Sequence, residues 1–129
     1  MPLPNDRPFN EAYLCESTTS IATTPVPAMA VAPVSGLLQR VAAAAGGTTT
    51  GTINVTVSIN GGPDIAGGQL NIPAGVSPRP GTVVELPLVG AGVTSGVFVS
   101  EGDAIVFTPS GGASSTSITG AFAAVIRAI

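Results

Sequence analysis

Residues 52–60 read TINVTVSIN, and this stretch decides the fold class. Ile53, Val55, Val57 and Ile59 fall on one side of an extended chain, with Asn54, Thr56, Ser58 and Asn60 on the other. That is the period-two pattern of a strand with one buried face. Burying each of the four apolar side chains is worth about 1.5–3 kcal/mol, an upper bound because an unfolded chain is already partly compact, so the strand can anchor a core. Asn60, Gly61, Gly62 and Pro63 end it with residues that tolerate left-handed backbone or lack a ladder donor, and the chain must turn there.

Similar pieces follow downstream. Residues 69–72 give a short strand with Leu70 and Ile72 on one face, and the proline-rich PAGVSPRPG of 73–81 belongs on the surface. TVVELPL, 82–88, is a strand that Pro87 confines to an edge or a bulge. Val97 and Val99, then Ser100 to Asp103, then Ile105 and Phe107 predict a hairpin with Gly102 in its turn. Residues 109–117 read as a Gly- and Ser-rich loop, and 117–129 as a long final strand. In that strand Ile118, Phe122, Ala124 and Ile126 alternate with Thr119, Ala123, Val125 and Arg127, so it is apolar on both faces near its end, as a strand covered on both sides would be.

Upstream, Pro25 to Val34 suggests a short edge strand, because proline is tolerated at strand starts and edges. LLQRVAAAA, 37–45, is rich in helix formers and could be a helix ended by Gly46 and Gly47. A strand is the favoured reading, with Leu38 and Val41 near the core, because a single short helix among strands nucleates poorly. The first 24 residues differ in kind: Pro2, Pro4 and Pro8 punctuate a polar start. This predicts an extended arm that docks on neighbouring subunits through its large apolar groups Tyr13, Leu14 and Ile21. The competing reading makes 13–24 the first strand of the domain.

The composition agrees with an all-β protein. A chain of 129 residues forms one domain, divided here into the arm, 1–24, and the domain, 25–129. Apolar residues make up 44% but aromatics only 4%, with no Trp, so Val, Ile, Leu and Ala must fill the interior. The 17 Gly and 12 Pro follow no three-residue period and exclude long helices nearly everywhere. About eight short strands at spacings near ten residues match an antiparallel β-sandwich or jelly roll.

Only 9% of residues are charged, Lys is absent, and the net charge is −3. Arg7, Arg40, Arg79 and Arg127 cannot assemble a phosphate-neutralising stripe, which argues against nucleic-acid binding. So little charge is unusual for the surface of a free monomer and favours a homo-oligomer, the plainer alternative being a monomer coated in Thr, Ser, Asn and Gly. The lone Cys15 cannot form an internal disulfide and reads as a small buried apolar residue. No signal peptide is legible, and no run reaches the roughly 18 apolar residues of a membrane helix, so the expectation is a protein made in the cytoplasm with no membrane partner.

No chemistry stands out. Without His there is no base for a Ser or Cys nucleophile and no usual zinc set, so neither a cofactor nor a metal is expected. Glu101 and Asp103 are the closest acidic pair and could serve as acid and base or hold Ca²⁺; solvating a turn is the preferred role. With Tyr13 the only Tyr and no Trp, there are few platforms for stacking on sugars.

Three runs carry a family resemblance: APVSGLLQRVAAAAGGTTTGTINVTVSINGGPDIAGGQLNI, VSEGDAIVFTPSGG and the closing AFAAVIRAI. Together residues 33–127 resemble the small jelly-roll decoration, or cement, proteins of tailed bacteriophage heads. The resemblance implies a single jelly-roll-like sandwich with a structural, non-enzymatic role. It also implies oligomers, trimers above all, seated on the outside of a virion and clamping the major capsid protein. Similar domains occur in head fibres and tail appendages, so a module binding a host receptor or carbohydrate is the alternative.

Overall fold

The computed structural model describes residues 11–74, 82–85, 88–89, 94–95, 97–111 and 118–128. Among them there are eleven strands and no helix: β1 (Glu11–Ala22), β2 (Ala28–Val31), β3 (Gly36–Ala45), β4 (Ile53–Ile59), β5 (Leu70–Ile72), β6 (Thr82–Glu85), β7 (Leu88–Val89), β8 (Thr94–Ser95), β9 (Val97–Val99), β10 (Ala104–Gly111) and β11 (Ile118–Ala128). One antiparallel sheet runs β1-β11-β3-β6, with β9 also paired to β3, at Gly36–Leu38. The second runs β2-β10-β4-β5, and β7 and β8 pair with each other.

The two larger sheets face each other across one core, built by the alternation that the sequence displays. Ile53, Val55 and Val57 of β4, Ile105 and Phe107 of β10, and Leu70 and Ile72 of β5 are buried against Leu38 and Val41 of β3 and Phe122, Ala124 and Ile126 of β11. Phe107 and Phe122 stack across the gap, ring centroids 5.0 Å apart and nearly parallel. With so few aromatics, this pair and the branched aliphatics supply most of the buried volume. At the end of β4 the inward Ile59 is only half-buried, while Ser58, on the other face, is buried and bridged to Asp64.

Residues 37–45 are a strand. The Ala-rich run yields to β-structure because it is paired on both sides, with β11 along one edge and with β6 and β9 along the other. Leu38 faces Ile126 and Arg40 faces Val125, leaving Gln39 as an extra residue, a bulge that keeps Leu38 and Val41 both pointing inward.

Three expectations need correction. The arm reading fails over residues 11–22, which form β1 and pair with β11 from Glu11↔Arg127 to Thr18↔Gly120, resuming at Ala22↔Ile118 after a bulge. The prolines that suggested an arm end at Pro8; residues 1–10 lie outside the described residues, and β1 itself contains no proline. Residues 97–107 are not a hairpin: β9 pairs with β3 in one sheet, whereas β10 pairs with β2 and β4 in the other. Ser100–Asp103 is a corner between sheets. Finally, the loop expected over 109–117 fails for its first three residues, since Pro109, Ser110 and Gly111 continue β10 opposite Val55, Asn54 and Ile53; residues 112–117 lie outside the described residues. Ala104 accepts from the Asn60 N–H and so points toward β4; by alternation Pro109 points toward β2, which has already ended at the partner of Phe107. The missing N–H of Pro109 therefore costs no ladder bond.

Candidate interaction surface

The three residues expected to anchor an arm are separated by the alternation of β1. Tyr13 points outward and is 69% exposed, whereas Leu14 is half-buried against the core. Ile21 is fully buried, lying over Gly120 of β11: a Cβ on that glycine would stand 2.6 Å from the Ile21 Cδ1 and 2.9 Å from its Cβ. The chain uses Gly120 to admit Ile21, and the bulge between Thr18 and Ala22 swings it inward. Ile21 and Leu14 hold β1 to its own core, and of the three only Tyr13 faces outward.

The strand pairings line Tyr13 up with other outward residues. One row crosses the outer face as Glu11, Arg127, Leu37 and Phe98; the next as Tyr13, Val125 and Arg40; then Cys15, Ala123 and Ala42; then Ser17, Ala121 and Ala44. Phe98 is 54% exposed, and Leu37, Val125, Ala123, Ala42 and Ala44 are half-buried by their neighbours only. Cys15 is exposed on this face, contrary to the expectation of a buried thiol, because its parity in β1 is that of Tyr13. The second apolar face of β11 is thus an open surface of small side chains rimmed by two aromatic rings.

The charges on this face sit within it. The Tyr13 hydroxyl donates to the Glu11 carboxylate, which holds the phenol above its ordinary pKa, while the positive charge of Arg40 acts in the opposite direction. Arg40 and Arg127 are both exposed here. Tyr and Arg over an apolar floor are the residue types that dominate binding energy at protein interfaces. Sequence reading passed over Phe98, Arg40 and Val125 as partner-binding groups; the one signal that could have found them was the apolar character of both faces of β11.

The acidic pair is structural at least in part. The Asp103 carboxylate accepts from the Ser100 N–H and from the Asn60 side-chain amide, each at 2.9 Å, and these bonds hold its pKa below the usual carboxylate range. Asn60, at φ 56°, completes the link by accepting the Ala104 N–H at 2.8 Å. Glu101 is exposed, with its N–H donated to the Ser35 hydroxyl. The corner is therefore fastened to both the β4–β5 turn and the β2–β3 connection. No cluster of three or more metal-ligating side chains occurs among the described residues.

Compared with models of known protein families the sequence matches none, and no curated protein matches it.

Proposed function

We propose that this chain is a structural subunit that attaches to a protein lattice, as the decoration proteins of phage heads do, with the major capsid protein as its partner. The observation that carries the reading is the open outer face of β1, β11 and β3. It combines Tyr13, Phe98, Leu37 and Val125 with Arg40 and Arg127, in a chain with little other charge. Such a face suits a broad protein contact better than a small ligand, because among the described residues it is open and carries no concave cluster of polar groups.

The pairing scheme supports a jelly roll. The first strand lies beside the last, β2 beside β10, β3 beside β9 and β4 beside β5. That is the nesting produced when one long hairpin is rolled up, and the remaining neighbours, β11 with β3 and β10 with β4, are those created by the rolling.

The test is a mass-spectrometric count of this chain against the major capsid protein in purified particles, with Tyr13→Ala/Phe98→Ala as the comparison. Decoration requires a copy number comparable to that of the lattice subunit and a marked loss of occupancy in the variant. A few copies per particle would point instead to a fibre or tail appendage, and absence from particles would overturn both.

A further inference from the structure

A second feature lies on the opposite sheet. Met29 and Val31 of β2 are 58% and 59% exposed, and they adjoin the half-buried Val106 and Ala104 of β10 on the outer face. β2 is an edge strand. The Ala32 N–H is bonded to the Asp103 carbonyl, so alternation turns the backbone groups of Ala28 and Ala30 toward β10 and those of Met29 and Val31 away from it. Each of these two residues therefore presents an apolar side chain together with an outward N–H and C=O, and no described residue pairs with either along that edge.

We propose that β2 is a pairing edge for a second copy of this chain, the two β2 strands running antiparallel about a two-fold axis at Ala30, so that two four-stranded sheets become one. The flanking prolines select this register. Pro27 and Pro33 share the outward parity of Met29 and Val31 but carry no N–H. Centring the axis on Met29 would set Val31 against Pro27, and centring it on Val31 would set Met29 against Pro33; each choice still makes four ladder bonds, but two of them run to a proline outside β2 and two carbonyls of β2 are left facing a ring that has no N–H. Centred on Ala30, Met29 faces Val31 of the second copy and Val31 faces its Met29, and all four outward N–H groups find carbonyls. The same two prolines limit the joint to these few residues, so the pairing closes as a dimer and cannot run on into longer cross-strand stacking.

Electrostatics favour a second copy over a charged partner. From Ser17 to Gln39 there is no charged residue, so two chains of net charge −3 can approach at this edge without apposing like charges. The four residues of β2 and the prolines at 27 and 33 shorten this edge, but its outward positions carry Met and Val and no charged side chain. Once joined, Met29, Val31, Val106 and Ala104 of each copy form one apolar strip across the axis, covering side chains that are otherwise left in water. The pairing is independent of the capsid reading.

The test is sedimentation velocity and amide hydrogen exchange on the full chain across a dilution series. The expected result is a species of twice the 12.5 kDa chain mass. Exchange at the Met29 and Val31 amides should slow as concentration rises, while the Ala30 amide is protected throughout by β10. Val31→Pro removes only an outward N–H, and Met29→Lys places a charge on an exposed site; both variants should return the chain to the monomer with its melting transition retained. A monomer at every concentration, an oligomer that either folded variant leaves intact, or concentration-independent protection of Met29 and Val31, which would mean that residues 1–10 of the same chain cover the edge, would each overturn the proposal.

Discussion

The contact between Ile21 and Gly120 allows the membership of β1 in the core to be measured. Ile21 is fully buried, and truncating a buried Ile to Ala costs about 2–5 kcal/mol through lost transfer energy and a residual cavity. At this chain length each kcal/mol moves the melting temperature by about 4 °C, so Ile21→Ala should lower it by about 8–20 °C. Gly120→Ala attacks the same contact from the other side. Its new methyl would stand 2.9 Å from the Ile21 Cβ, which cannot rotate away, so overpacking of about 1–3 kcal/mol is expected. In the Ile21→Ala background that obstruction is gone. Gly120 has no left-handed backbone to lose, and the alanine should then be neutral or stabilising by about 0.4–1 kcal/mol through the unfolded state. The two changes together must therefore cost less than their sum, by an amount comparable to the overpacking term. Urea titrations of the four proteins, followed by circular dichroism, give the cycle directly. If Ile21→Ala melts where the parent does, or if the effects simply add, residues 11–22 do not pack as described and the arm reading returns.

Val57 is fully buried and Ile59 half-buried, so Val57→Asp should abolish the cooperative melting transition while Ile59→Asp lowers its midpoint without removing it; equal severity would contradict the depth assigned to β4. Asp103 makes the acid limb of stability testable. Its carboxyl titrates below its unfolded value of about 3.9, so its contribution is complete above that pH and is lost as the pH falls through the lower folded value. Asp103→Asn should flatten this loss in urea midpoints measured below about pH 5, and an unchanged acid limb would refute the role of the Ser100 and Asn60 bonds. With no His in the chain, the parent should show no step in stability between about pH 6 and 8.

Strand positions were legible in this sequence wherever one face is buried and the other wet, as in β4, because a two-residue period leaves a direct trace in the order of residues. Partnership was not. Ser100 to Asp103 has the chemistry of a tight turn and forms one, closed by the Asp103 N–H on the Ser100 carbonyl at 2.9 Å. A turn fixes the direction of the outgoing chain but not which sheet it enters. Here the Gly102 N–H bonds to the Ala32 carbonyl and the Ala32 N–H to the Asp103 carbonyl. The start of β10 is thereby drawn to β2, in the far sheet, by residues some seventy positions upstream. The same limit hid the nature of β1. Its apolar groups alternate imperfectly because Glu16 interrupts the inward set and the bulge before Ala22 shifts Ile21 to the core side; the compensation, a glycine at 120, lies in another strand. The exposed face was half-written in the sequence. Apolar residues on both sides of β11 implied two covers, and the structure supplies one of them from the same chain. The other side faces outward among the described residues, which is why a surface that local pattern alone would assign to the interior is the one on which the functional proposal is built.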